Sequence, residues 1–383
     1  MNNCHRPFWA LLFALALCMA PENAHARFDA AKVHALITEM GGKVAAEPEI
    51  PGLSIAVLQK GGDKPVTAAF GTACIENATP MTPETRFKIG SVSKVFTAAL
   101  IHRYIEDGTL AYDTPIARFF PGFPNGGAIT VRNLLEHSSG IIDMLALAPV
   151  HANMAKHWNQ EVLVAMAGEQ PLLFQPGTRQ AYSNTGFLML AIICERLSGQ
   201  SYEALVRTTF AEKLGMKSLL SGNDHTVVPR LACGYTNAAG KGFDLPMMAS
   251  LAVAKGTGNL EAAPSDVVRL VNLDRVLKNT VLDTVALTPL VMQGGWKAPS
   301  NNHSGNVSVS QLDGCELFVI DTPPITLVGK LGSFPGFGTA YFYDRQTRIA
   351  VAISVNNERV IQRAISLGAG ILKALRTEGP THK

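Results

Sequence analysis

Residues 52–73 read "GLSIAVLQKGGDKPVTAAFGTA", two apolar runs split by a glycine pair. "GLSIAVLQ" and "VTAAFGTA" have the length and composition of strands, and Gly61-Gly62-Asp63 supplies a hairpin turn between them. A lone hairpin buries too little to stand by itself, so its partners must lie elsewhere in the chain. Just upstream, "FDAAKVHALITEMGGKV" reads as an amphipathic helix with Gly41-Gly42 at its end. After Met81 the texture changes. From Phe87 to about Leu277 helical patterns dominate, broken by loops such as "FFPGFPNGG" and "FQPGTRQ". Strand texture returns late, in "ELFVI", "ITLVGKLG", "GTAYFYD" and "IAVAISVNN", with Asp344-Arg345-Gln346-Thr347 turning between the last two. "RVIQRAISLGAGILKALR" closes the chain as a helix.

This order predicts an α/β (α+β) fold. A mainly antiparallel sheet is drawn from both chain ends, terminal helices flank it, and a large helical domain is inserted. The expected parts are residues 27–85 and 300–383 for the sheet domain and 86–299 for the helical domain. The polar stretch Gly294–Asp313 fits neither pattern.

The chain has 383 residues, 47% hydrophobic and 16% charged, which is globular composition with room for two domains. Its net charge of +3 is scattered without a Lys/Arg cluster, which argues against a nucleic-acid partner. Residues 1–26 carry Arg6, an apolar run from Phe8 to Ala20, and Ala24-His25-Ala26, the marks of a cleavable signal peptide. The apolar run is short for a transmembrane helix. The expectation is therefore a periplasmic or secreted protein starting at Arg27, with no stable membrane span after cleavage. An uncleaved anchor and a lipid-modified Cys18 are the alternatives, although Leu17 is bulky for a lipoprotein signal. Cys74, Cys194, Cys233 and Cys315 remain, and sequence alone does not pair them. Cys194, inside "GFLMLAIICERL", reads as a buried free thiol. No Cys-x-x-Cys or His-Glu-x-x-His pattern supports a metal site.

Three short elements carry chemistry. In "FKIGSVSKVFTAAL", Gly90 precedes Ser91 at the mouth of an apolar helix, and Lys94 follows one turn on. A serine hydroxyl needs a base within hydrogen-bond reach, and a lysine serves when its surroundings favour the neutral amine. A helix cap followed by a solvated lysine is the plainer reading, but a lysine entering a buried helix needs a reason. Tyr182-Ser183-Asn184 precedes the apolar helix "GFLMLAIICERLSG". Ser183, Asn184 or Thr185 suits its cap and Gly199 its end, while Tyr182 suits a proton carrier. Lys330-Leu331-Gly332-Ser333 ends the strand "ITLVG", where Gly332 allows close backbone approach.

Taken together, "FKIGSVSK", "YSN" and "KLGSFPGFG" resemble the three signatures of the penicillin-recognising serine hydrolases, in the branch of class C β-lactamases, DD-carboxypeptidases and related esterases. "ITVRNLLEHSSGI", "LACGY" and "GTGNLEAAPSDVVRLV" are similar to its connecting segments, so the resemblance covers nearly all of the chain after residue 26. It implies a β-lactamase/transpeptidase-like fold and an acyl-transfer site. Ser91 would be acylated, and Lys94 and Tyr182 would share base duty in an order left open. Asn184 would orient a substrate amide and Lys330 would attract a substrate carboxylate. The backbone N–H groups of Ser91 and Ser333, beside Gly332, would bind the oxyanion. The implied partner is a β-lactam, a D-Ala-terminated peptide or an ester, acted on by a monomer with no metal or organic cofactor.

Leu331 departs from the family pattern, which has a threonine there that helps bind a substrate carboxylate. Losing such a charge-assisted bond is worth roughly 1.5–3 kcal/mol. The leading expectation is a periplasmic β-lactamase or DD-carboxypeptidase. Leu331 favours a second, an esterase for short acyl esters, and a third is a penicillin-binding receptor without turnover. Asn356-Asn357 resembles a polar pair that some relatives use near the carboxylate.

Overall fold

The computed structural model describes residues 28–237, 242–278, 308–311, 318–322 and 325–377. The expected signal segment with Cys18, Cys315, and most of Gly294–Asp313 lie outside these residues. Helix α1 (Ala30–Ala45) starts on Asp29, whose carboxylate accepts from the Ala31 and Lys32 amides. It does not end at Gly41-Gly42. A Cβ on Gly41 would lie 2.6 Å from both Ile55 and Phe70, so the glycine serves close helix–sheet packing inside the helix.

Strands β1 (Gly52–Gln59), β2 (Val66–Cys74) and β3 (Thr79–Pro80) follow. The middle of the chain contributes β4 (Phe87–Lys88), β5 (Leu220–Ser221), β6 (Thr236–Asn237), β7 (Phe243–Asp244) and β8 (Leu260–Ala262). The late strands are β9 (Ser308–Gln311), β10 (Phe318–Thr322), β11 (Ile325–Phe334), β12 (Phe337–Asp344) and β13 (Ile349–Val355). One antiparallel sheet of eight strands runs β3-β2-β1-β13-β12-β11-β10-β9. The two chain ends meet at its centre, where β1 and β13 pair from Leu53↔Val355 to Gln59↔Ile349.

Both faces of this sheet are covered, and the two-residue period of a strand divides them. Ile55, Val57, Phe342, Val351 and Ile353 pack with Val33 and Ile37 of α1 and with Leu367 and Ile371 of the closing helix Ile361–Thr377. Ala56, Leu58, Tyr341, Tyr343, Ala350 and Ala352 pack into the core of the helical region. This two-sided burial explains why "IAVAISV" is apolar throughout. The β1–β2 turn is held from that region too. Asn272 accepts from the Gly61 amide and donates to the Gly62 carbonyl, and Arg275 pairs with Asp63 at 2.7 Å.

Helix α2 (Ser93–Glu106) is the centre of the helical region, with every residue from Ser93 to His102 buried. Helix Asn184–Ser198 packs on it, holds Cys194 as a buried free thiol, and ends at Gly199 with φ +68°. β4, β8 and β5 form a small sheet beside α2. Strands of two or three residues leave no periodic trace, which is why the sequence reads as helical there. Cys74 at the end of β2 is bonded to Cys233, joining the large sheet to the segment before β6 across 159 residues of chain. Among the described residues, no helix is long and apolar enough to cross a membrane.

Candidate active site

Two glycines bring the site together. Gly90 has φ +52°, and a Cβ there would lie 2.5–2.7 Å from backbone atoms of Ser333. A Cβ on Gly332 would lie 1.9 Å from the Ile89 carbonyl oxygen. Strand β11 therefore lies backbone to backbone against the 3₁₀ turn Gly90–Val92 that carries Ser91 into α2. Side chains at both positions are excluded by this approach. Ser93, the next hydroxyl, is buried and accepts from the Leu260 amide, which ties α2 to β8.

Around the Ser91 hydroxyl three elements converge. Lys94 is fully buried, and its Nζ stands 3.1 Å from Ser91 Oγ, 2.7 Å from Asn184 Oδ1 and 2.9 Å from the Thr257 carbonyl oxygen. Two of these partners only accept. A neutral amine has two hydrogens for them and a lone pair for the third, the hydroxyl. Tyr182 Oη donates to Ser91 Oγ at 2.9 Å, and Tyr182 is 39% exposed, which puts it at the open side of the site. Both lysine nitrogens approach the Tyr182 ring, Lys94 Nζ at 4.8 Å and Lys330 Nζ at 5.2 Å from its centroid. Lys330 is buried on the same face of β11 as Gly332, while the Ser333 side chain is exposed.

Three contributors are not singled out as site residues in the sequence, although His137 and Thr257 fall in the family-like segments "ITVRNLLEHSSGI" and "GTGNLEAAPSDVVRLV". Asp143 accepts from Asn184 Nδ2 at 2.8 Å, which turns the Asn184 oxygen towards Lys94. Thr257 acts through its main chain, and no side-chain pattern marks that. His137 is buried, its Nδ1 accepts from the Ser183 amide at 3.2 Å, and its ring lies 4.3 Å from that of Tyr182. Ser183 sits at the start of its helix but makes no capping bond, and the Asn184 and Thr185 side chains are engaged by residues 142–144 and Lys94 instead.

Two expectations are corrected. Asn356 and Asn357 are buried, and their amides donate to the carbonyls of Thr72, Ala73, Cys233 and Glu49 and to Asn237. Their amide nitrogens are engaged in joining chain segments. Leu331 is partly buried against the α1 side of the sheet, opposite to Lys330 and Gly332. Its side chain packs rather than lining the nucleophile. Among the described residues, one trio, Cys74, Glu76 and Cys233, is close enough to hold a metal, but both sulfurs are used by the disulfide. Beside the site, Glu261 on β8 is buried opposite Lys88, and burial pushes its carboxyl up to about 7 against the pull of Lys88 and Arg86.

Known proteins share this chain's features. A penicillin-binding protein of Bacillus subtilis (strain 168) is 35% identical over 161 residues, 41% of this chain and 35% of that relative's own length. A Beta-lactamase of Pseudomonas fluorescens is 27% identical over 86% of this chain and 95% of its own. In fold, the chain is similar to the D-amino acid amidase of Ochrobactrum anthropi SV3 complexed with L-phenylalanine amide. That match has a TM-score of 0.73 at 24% identity and covers 90% of this chain and 99% of the other. The model of one family matches residues 35–376, nearly the whole described chain, and with the fold and the site geometry it makes this protein a member of the Beta-lactamase family of serine hydrolases.

Proposed function

We propose that the chain hydrolyses amide bonds of β-lactams or of D-amino-acid-terminated peptides through an acyl-enzyme on Ser91. One observation carries the reading: Lys94 Nζ and Tyr182 Oη converge on Ser91 Oγ at 3.1 and 2.9 Å. In the acylation step Ser91 Oγ bonds to the substrate carbonyl carbon and its proton passes to Lys94. The C–N bond breaks, and Tyr182 passes a proton to the leaving nitrogen. The Ser91 and Ser333 amides, adjacent through the Gly90–Gly332 approach, take the oxyanion. Water then releases the acyl group. Lys330 supplies positive charge beside Tyr182 for an anionic substrate. The Beta-lactamase relative and the D-amino acid amidase neighbour support this substrate class. A second reading is an esterase for short acyl esters, for which the same Ser91, Lys94 and Tyr182 set would serve. We also propose a periplasmic or secreted location, supported by the signal-like residues 1–26 and the Cys74–Cys233 disulfide.

Labelled penicillin decides between these readings. Wild-type protein is expected to form an adduct that Ser91→Ala does not. Rapid decay marks a β-lactamase, and a long-lived adduct marks a peptidase or receptor. No adduct on wild type, with turnover of p-nitrophenyl acetate, marks the esterase. Full activity of Ser91→Ala on any substrate refutes the mechanism.

A further inference from the structure

We propose that the segment His137–Asp143 is the positioning template of the reaction, holding Tyr182 onto Ser91 with one end and setting the orientation of Asn184 towards Lys94 with the other. This rests on the reading of Ser91 as the acylated nucleophile.

Tyr182 lies in an irregular stretch just before helix Asn184–Ser198, so no local ladder holds it. His137 does so from three directions. Its carbonyl accepts from the Ala181 amide at 2.9 Å, and its Nδ1 accepts from the Ser183 amide at 3.2 Å. The residues on both sides of Tyr182 are thus tied to one histidine, whose ring also lies against that of Tyr182 at 4.3 Å. Because Nδ1 accepts, it carries no proton. His137 reaches this position with φ +55°, a left-handed backbone that few side chains adopt. Such a conformation persists where its surroundings over-determine it.

Six residues on, Asp143 works on the other half of the motif. Its Oδ1 accepts from the Leu145 amide at 3.0 Å and its Oδ2 from Asn184 Nδ2 at 2.8 Å. A carboxylate only accepts, so the Asn184 amide must present its NH₂ to Asp143 and its oxygen to Lys94. Lys94 must then donate to Asn184, as it donates to Thr257, which directs the remaining valence at Ser91. Between the two ends, Thr185 Oγ1 donates to the Ile142 carbonyl and accepts from the Met144 amide. Residues 181, 183, 184 and 185 are therefore gripped in order by residues 137 to 144. Neither His137 nor Asp143 touches the Ser91 hydroxyl, so both act through other residues.

The test measures the acylation rate of the full chain by a fluorescent penicillin and by p-nitrophenyl acetate. His137→Gly relieves the backbone but removes ring and acceptor. His137→Asn also tolerates a left-handed backbone and restores an acceptor for the Ser183 amide. His137→Gly is expected to lower the maximal rate about tenfold or more with half-saturation unchanged, and His137→Asn to recover most of it. On a Tyr182→Phe background, His137→Gly is expected to add nothing. Asp143→Asn, which can face Asn184 with its own NH₂ and so permit the flipped amide, is expected to lower the rate by a similar factor. The template is refuted by wild-type rates in His137→Gly and Asp143→Asn, or by a loss in His137→Gly that is undiminished on Tyr182→Phe. If wild type is labelled by neither probe, or Ser91→Ala still is, the acylation reading itself fails and the template falls with it.

Discussion

Gly332→Ala tests the architecture of the site most sharply, because it adds a single methyl group at a defined place. The new Cβ would lie 1.9 Å from the Ile89 carbonyl oxygen and 3.0 Å from the Val92 nitrogen. An ordinary carbon–oxygen contact is about 3.3 Å, so the shortfall is about 1.4 Å. Both neighbours are backbone, and the turn they belong to is the one that carries Ser91, so no flexible side chain can yield. Strand β11 must move outwards, taking the Ser333 amide away from Ser91. Displacements near 1 Å cost about 100-fold in rate, and loss of one oxyanion donor costs about 100- to 1,000-fold. Overpacking of this kind costs about 1–3 kcal/mol of stability. Acylation by labelled penicillin or p-nitrophenyl acetate, read beside thermal melts, gives both numbers. Gly127→Ala is the control, since Gly127 has open space around its Cβ position. Wild-type rate and melting temperature in Gly332→Ala would refute the close approach of β11 to Ser91.

Three further outcomes are expected. Glu261 titrates at about 7 in the folded chain against 4.5 as its ordinary value, so the folded state holds a proton that the unfolded state releases. Its contribution is present below pH 4.5 and is lost as pH rises through 7. The change is about 3 kcal/mol, and it is read as the pH-dependent difference in denaturant unfolding between wild type and Glu261→Gln. A flat difference across that range would show that Glu261 is solvated. Removing the disulfide, by reduction or by Cys74→Ser with Cys233→Ser, is expected to lower stability by about 2–5 kcal/mol, seen as a shifted denaturant midpoint. Leu331→Thr is expected to cost about 1 kcal/mol of packing and to change penicillin acylation less than about threefold. A tenfold gain would put that side chain in the substrate site.

Much of this protein is legible in its sequence. Strands buried on both faces, such as "IAVAISV", announce themselves by unbroken apolar runs, and Gly199 marks a helix end because the left-handed cap suits glycine. The candidate residues that the fold brings together around Ser91 could be picked out because they sit in compact motifs, "GSVSK", "YSN" and "KLGS", whose residue types fit one chemistry. Gly41-Gly42 misled because glycine serves close packing as well as chain breaks, and only the sheet beneath α1 tells the two apart.

Tertiary structure alone decided the rest. The Cys74–Cys233 bond, the Thr257 carbonyl beside Lys94, and the grip of His137 and Asp143 on residues 181–184 all join segments that are distant in the chain. Period-two alternation fixes which residues share a face of β11, but the packing on each side decides that Lys330 faces the Tyr182 ring and Leu331 faces away. Local sequence records propensity and residue chemistry. Contacts set by the closing of the sheet around α2 decide which of those residues can act on one another.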